Sequence, residues 1–124
     1  MKRIPKKTPR RLKDKRSEAD LMRACQQYLQ LAENLGDIIH HDRLNAGNIV
    51  MGKYVVRMCR PGTPDLMAIT KSGTVIWMEV KGPDGKMSTA QKTFKAKIEK
   101  TPHHYHHVIT SLEQMIDIIK ILTY

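Results

Sequence analysis

Two short apolar segments on either side of Lys71, Ser72 and Gly73 constrain the fold of this chain most strongly. The segments read LMAIT and TVIWM, and each is apolar at successive positions rather than at alternate ones. Strands that are apolar on both faces lie at the centre of a sheet and are covered by helices. Gly73 supplies the left-handed backbone that three-residue hairpin loops favour. The sequence therefore predicts an antiparallel hairpin at the centre of an α/β domain.

Charged residues are predicted to meet at the open end of this hairpin. If Thr70 pairs with Thr74 and no bulge intervenes, Asp65 lies directly opposite Glu79, with the two Cβ atoms about 5 Å apart. Lys81 lies two residues beyond Glu79 and points to the same face. Two adjacent carboxylates in apolar surroundings are unfavourable unless a cation neutralises them, and oxygen ligands suit Mg²⁺ or Mn²⁺. A two-residue turn would instead shift the register by one residue and separate these charges.

Residues 17–36 are predicted to form the first helix. Ser17 and Asp20 have capping-box-like spacing, apolar residues recur at helical intervals, and Gly36 ends the pattern. Glu18 lies in the first turn, in line with apolar positions further along the helix. Two interpretations remain open for Glu18, a favourable interaction with the helix dipole or a place in the carboxylate site.

The rest of the chain alternates between strand and helix patterns. Strands are predicted at 37–44, 52–60 and 103–110, a turn at 45–48, a chain-breaking segment at 61–64, and helices at 88–100 and 111–122. This order predicts an α/β fold with a central mixed sheet flanked by helices.

Positive charge is concentrated at the N-terminus. The chain has a formal net charge of +10, and residues 1–16 contain nine Lys or Arg residues against one acid, Asp14. We expect this basic flexible tail to bind polyanions without reading sequence, although a role in solubility or targeting alone is the alternative. No apolar stretch is long enough to span a membrane, and Cys25 and Cys59 are isolated. A protein with two free thiols in a reducing compartment is therefore expected.

The motif order in the second half of the chain resembles a known nuclease family. GTPDL, a hairpin, and then MEVKGPDGKMSTAQ are similar to the VRR-NUC (virus-type replication-repair nuclease) domains of the PD-(D/E)XK superfamily. The resemblance covers about residues 17–122. It implies a nuclease domain at 17–124 with a restriction-endonuclease-like core, preceded by the basic tail at 1–16. A cytoplasmic location in a bacterial cell or phage-infected host is expected.

The same resemblance implies a set of catalytic residues. Asp65 and Glu79 would bind Mg²⁺ or Mn²⁺ together with the main-chain carbonyl of Val80, and Glu18 would complete the shell directly or through water. Lys81 would orient or deprotonate the attacking water and stabilise charge on the phosphate. These expectations describe a metal-dependent deoxyribonuclease.

Further residues are assigned to the site or to DNA with alternatives left open. Gln91 matches the glutamine of the family and would organise water or phosphate, but its spacing from Ser88 is also that of a capping box. Backbone phosphates are expected to contact a rim of basic residues, each of which could also be an ordinary solvated side chain: Arg57, Arg60, Lys86, Lys92 and Lys95.

The expected substrate is branched DNA, most specifically the four-way (Holliday) junction, cut by paired incisions of a homodimer. A monomeric flap nuclease, a restriction-type nuclease and a non-catalytic DNA-binding protein are the alternatives. The dimer is expected because Ile118 and Ile121 widen the apolar face of the last helix beyond what one core needs, although a helix wedged within its own chain would explain them too.

Residues 103–107, with the sequence HHYHH, depart from the apolar strand expected of the family. A zinc site there is conceivable, but no further His or Cys is spaced to complete a tetrahedral set. An interface or an exposed strand end is therefore the preferred interpretation of this segment.

Overall fold

The computed structural model describes residues 17–44 and 48–124, so the basic tail and most of the predicted turn at 45–48 lie outside the described residues. The elements follow in the order α1 (Glu18–Asn34), β1 (Ile38–Arg43), β2 (Asn48–Met51), β3 (Tyr54–Arg57), β4 (Leu66–Thr70), β5 (Val75–Val80), α2 (Thr89–Glu99), β6 (His104–Ile109) and α3 (Leu112–Thr123). Within these ranges, no helix is both long and apolar enough to cross a membrane.

The central sheet has four strands in the order β1-β4-β5-β6. Strand β4 is antiparallel to both β1 and β5, whereas β6 runs parallel to β5 after the connection through α2. The predicted α/β fold with a mixed sheet flanked by helices is therefore confirmed.

The hairpin of β4 and β5 has the predicted register. Leu66 pairs with Met78, and Ile69 pairs with Val75. At the closed end, the N–H of Thr70 donates to the carbonyl of Thr74 at 2.9 Å. Gly73 has a φ of 90°, the left-handed conformation that the three-residue loop requires. Both strands occupy the two central positions of the sheet, as their apolar sequences predict.

Serine side chains begin all three described helices. Ser17, Ser88 and Ser111 each accept a hydrogen bond from a backbone N–H in the first turn, which satisfies one of the unpaired donors there. Capping boxes are complete in α2 and α3. In α1, the carboxylate of Asp20 instead pairs with Arg23 at 3.2 Å.

The hydrophobic core includes residues of α1, α3 and the central strands. Ile118 is 2% exposed and belongs to this core, and Ile121 packs against it. The interpretation that Ile118 awaits a second partner is therefore wrong, because this residue is covered by elements of its own chain, whereas Ile121 is only partly buried. Cys25 is buried and Cys59 is partly exposed, and neither forms a disulfide bond among the described residues, as expected.

Strands β2 and β3 form a separate two-stranded hairpin. The strand predicted over 52–60 is present as the shorter β3, whereas β2 was not predicted. Met51 pairs with Tyr54 across a two-residue loop, and Gly52 has a φ of 63°, which suits the first position of such a loop. Large apolar side chains of this hairpin are exposed on both strands: Ile49, Val50, Met51, Tyr54, Val55 and Val56. We name this set the apolar hairpin.

The histidine-rich strand β6 is partly buried at His104 and Tyr105 and fully buried at the next two residues, so the preferred interpretation of an exposed strand end is wrong for those two. His106 and His107 are 2% and 1% exposed. The ring nitrogens of His106 have no hydrogen-bond partner among the described residues. Burial, assisted by the nearby charge of Lys95, lowers the pKa of His106 to about 4, so the ring is neutral at physiological pH. Its neighbour on the strand, His104, accepts a hydrogen bond from the indole N–H of Trp77 at 3.0 Å.

Candidate active site

Asp65 and Glu79 are held together at the open end of the β4–β5 hairpin. The backbone N–H of Asp65 donates to Oε1 of Glu79 at 3.0 Å, and the N–H of Val80 donates to Oδ2 of Asp65 at 2.8 Å. Each carboxylate is therefore anchored to the backbone of the opposite segment. The two residues follow directly on the last recorded pair of the hairpin, Leu66 with Met78, so the register brings them to the same end of the two strands.

Glu79 is the most unusual acid in the described part of the chain. Its side chain is fully buried, and Oε2 has no hydrogen-bond partner among the described residues. Burial, followed by the charge of Asp65, raises the pKa of Glu79 to about 7. Burial also raises the pKa of Asp65, against the lowering effects of the Val80 N–H and of Lys81. The paired carboxyl groups therefore favour the uptake of positive charge.

Lys81 supplies part of that positive charge. Its charge lowers the pKa of both Asp65 and Glu79, so it acts on the two carboxyl groups together. A turn closes behind it, with the N–H of Gly85 donating to the carbonyl of Gly82 at 3.0 Å. A Cβ at Gly85 would lie 3.0 Å from Cβ and 3.1 Å from Cδ of Lys81. The turn therefore packs closely against the lysine stem and limits its freedom.

Glu18 lies at the exposed rim of this cluster. It begins α1, and a Cβ at Gly82 would lie 3.4 Å from its Cβ. Its charge raises the pKa of both Asp65 and Glu79, although it is a smaller cause than burial. The structure thus places three predicted carboxylates and the predicted lysine in one electrostatic cluster, with Glu18 outermost.

The first turn of α2 packs against the segment that leads to Asp65. Gly62 has a φ of 92°, and a Cβ there would lie 2.5 Å from the carbonyl oxygen of Ala90. Gln91 is the next residue, and its Oε1 accepts a hydrogen bond from the N–H of Ser88 at 2.8 Å. The capping role of Gln91 is therefore present, and its role in organising site water stays a prediction.

The predicted DNA-contacting residues are spread over several elements. Arg57 ends β3, Arg60 is exposed before Gly62, and Lys86 is exposed in the connection to α2. In α2, Lys92 is exposed, whereas Lys95 pairs with Glu99 at 3.7 Å. The charge of Lys95 also acts on His106 of strand β6. Their contacts with DNA stay predictions.

Arg43 is a cation near the site that the sequence analysis missed. It ends β1 and pairs with Leu66, the residue after Asp65. The N–H of Leu44 donates to the carbonyl of Asp65 at 2.7 Å, and the charge of Arg43 lowers the pKa of Asp65. The sequence predicted that Arg43 lies on a strand at 37–44. It did not predict which strand pairs with it or in which register, because no local turn joins the two strands.

The fit of a metal ion to these residues depends mainly on Glu79. No group of three or more His, Cys, Asp or Glu side chains within residues 17–44 and 48–124 is arranged to hold a metal ion. The buried, unpartnered Oε2 of Glu79 beside Asp65 nevertheless fits a small cation with oxygen ligands, because such an ion would compensate the buried charge. The residues therefore fit Mg²⁺ or Mn²⁺ as a two-carboxylate site with Glu18 at its rim.

No protein-family model matches this chain, and no curated protein matches it either.

Proposed function

We propose that this chain is a Mg²⁺- or Mn²⁺-dependent endonuclease with a PD-(D/E)XK core, hydrolysing phosphodiester bonds in branched DNA. The observation that supports the proposal most is the buried pair of carboxylates, in which Oε2 of Glu79 has no partner among the described residues. Lys81 acts electrostatically on both acids. Such an arrangement costs folding free energy, and a cation at the site compensates that cost.

Each residue of the cluster has a distinct role in this proposal. Asp65, Glu79 and the carbonyl of Val80 would hold the ion, and the exposed Glu18 would act on it through water. When bound, the ion supplies a Lewis acid and lowers the pKa of a coordinated water. Lys81 orients the attacking water and donates a hydrogen bond to the phosphate oxygen on which negative charge develops. The turn packed on the stem of Lys81 restricts where its ammonium group can lie.

A non-catalytic DNA-binding protein is a weaker explanation of the same residues. Its affinity would come from cations that neutralise phosphates. Carboxylates placed where a polyanion must approach would repel it and also destabilise the fold. The cluster of Glu18, Asp65 and Glu79 is therefore better explained by metal-dependent chemistry.

The proposed active unit is a homodimer that cuts four-way junctions by paired incisions. Each chain holds one site, and one site cuts one strand, so two sites related by a twofold axis are required. With Ile118 buried in its own chain, support for the dimer comes from the apolar hairpin. An isolated two-stranded hairpin is only marginally stable. Its exposed apolar side chains would not gain binding free energy from contact with DNA phosphates. The same hairpin of a second copy offers a self-complementary apolar surface.

Placing charge on the apolar hairpin is expected to separate the dimer. Val50 and Val55 are paired, and they are 72% and 64% exposed. The double variant Val50→Glu/Val55→Glu should be monomeric by light scattering at micromolar concentration, because four carboxylates would face one another in the dimer. It should nick junctions without the paired second incision.

The matched control for that variant is Ile39→Glu, which changes an exposed apolar residue of β1 outside the apolar hairpin. This variant should remain a dimer by light scattering, like the unmodified protein. A monomeric unmodified chain that still resolves junctions would contradict the dimer and favour a monomeric flap nuclease.

The proposed activity itself is tested by a panel of DNA substrates. Four-way junction, flap, splayed-arm and plain duplex DNA are incubated with Mg²⁺, with Mn²⁺ and with excess EDTA. Cleavage of branched substrates only in the presence of metal is the expected result. Undiminished cleavage in EDTA would contradict the metal-dependent mechanism, and cleavage confined to one duplex sequence would identify a restriction-type enzyme.

A further inference from the structure

A groove beside the carboxylate cluster has a chemical character unlike that of the cluster itself. It has a volume of about 150 Å³ and is lined by Ala19, Met22, Arg23, Gln26 and Arg43. Ala19 follows Glu18, and Arg43 pairs with the residue after Asp65. The groove therefore lies next to Glu18 and runs along α1 from Ala19 to Gln26.

The polar side chains of the groove are hydrogen-bond donors suited to an anion. Arg43 and Arg23 provide two guanidinium groups, and Gln26 lies one helical turn after Arg23. Only Nη1 of Arg23 is used in its pair with Asp20, at 3.2 Å. The side chains of that pair are 68% and 57% exposed, and exposed ion pairs contribute little stability. An incoming anion can therefore recruit Arg23 at small cost.

The apolar lining distinguishes the occupant from a free inorganic ion. Met22 is 6% exposed and, with Ala19, gives the groove an apolar part beside its donors. A nucleotide unit of a DNA strand has the matching composition, an anionic phosphodiester joined to a largely apolar sugar face. The two guanidinium groups suit the phosphate, since Arg recognises phosphate oxygens with paired donors.

We propose that this groove binds a backbone phosphodiester of the DNA strand, next to the phosphodiester that is cut, with Arg43 and Arg23 as its ligands. The inference rests on the proposed nuclease function for the identity of the strand. Arg43 both lines the groove and acts electrostatically on Asp65, so its charge would reduce the repulsion between the bound phosphate and the carboxylates. The groove thereby positions the strand and sets which bond reaches the cluster.

Binding in EDTA tests the groove separately from cleavage. The affinity of the full chain for a four-way junction is measured from low to moderate salt for the unmodified chain and for the variants Arg23→Ala and Arg43→Ala. Each variant should weaken binding and reduce the slope of log affinity against log salt by about one, as expected for one lost phosphate contact. Lys100→Ala is the matched control, because it removes one exposed cation at the C-terminal cap of α2.

A second measurement distinguishes direct contact in the groove from a long-range effect of the lost charge. The side-chain amide signals of Gln26 in nuclear magnetic resonance spectra should shift when a thymidine dinucleotide is added in EDTA, and Arg23→Ala should remove the shift. Salt slopes equal to that of Lys100→Ala, or unchanged Gln26 signals, would overturn the groove as a phosphate site. Those results would not contradict metal-dependent cleavage. Conversely, absence of cleavage with normal binding would contradict the proposed activity and not the groove.

Discussion

Replacing Lys81 by alanine is expected to reduce the rate of DNA cleavage at least about a hundredfold, the scale typical of a lost proton-transfer or charge-stabilising group. The reason is that the charge of Lys81 acts on both Asp65 and Glu79, while the turn at Gly85 packs against its stem. DNA affinity should be largely kept, since one cation among many is lost. Single-turnover cleavage of a labelled junction, with affinity measured in parallel, separates the two effects.

The control for this variant is Lys86→Ala, five residues further along the same connection. Lys86 is exposed and is predicted to contact DNA rather than the reacting phosphate. Its loss should weaken binding and leave the single-turnover rate at saturating protein nearly unchanged. Full cleavage by the Lys81→Ala protein would refute the catalytic assignment, and equal rate losses in both variants would reduce Lys81 to a general phosphate contact.

The metal-free Glu79→Gln protein is expected to be more stable at pH 8 than the unmodified chain, by on the order of 3 kcal/mol. The pKa of Glu79 is raised from its usual 4.5 to about 7. Between these values the folded chain holds a proton that the unfolded chain has released. Stability is therefore lost as the pH rises through this window, and the neutral amide of glutamine avoids that loss.

Urea denaturation at pH 5 and pH 8 in EDTA measures this effect. The unmodified chain should lose more free energy of unfolding between the two pH values than the Glu79→Gln variant. Glu99→Gln is the control, because Glu99 is an exposed acid whose one ion pair among the described residues is with Lys95. Added Mg²⁺ should stabilise the unmodified chain at pH 8 and have little effect on Glu79→Gln. If the unmodified chain and the Glu79→Gln variant had the same pH dependence of stability, Glu79 would not be the acid whose burial destabilises the fold.

Local sequence signals were sufficient for the central hairpin and for the helix starts. A three-residue loop with Gly73 at its third position determines the register of β4 and β5, and that register brings Asp65 and Glu79 to the same end of the hairpin, where they are hydrogen-bonded. The cap residues Ser17, Ser88 and Ser111 define where the helices begin. In each case the controlling interaction lies within a few residues of the element.

Features decided by distant contacts could not be predicted in the same way. Ile118 and His106 are buried because elements far away in sequence pack over them, and nothing in their own segments shows how many faces are covered. Arg43 joins the site only through the register of β1 with β4, which includes an irregularity between Ile38 and His40. The apolar hairpin is different, because Gly52 and Lys53 between two apolar runs were a recognisable local turn signal.

The close approach of Gly62 to Ala90 has a consequence for which sequences this site can tolerate. Gly36, Gly52 and Gly73 have open space where a Cβ would be, so substitution there meets only backbone strain. At Gly62, even alanine would bring a methyl group within 2.5 Å of a carbonyl oxygen in the backbone of α2. The helix would have to shift, or the segment carrying Asp65 would. A residue with no functional group of its own is thus as restricted as the carboxylates, and natural or designed variation should be least free at position 62.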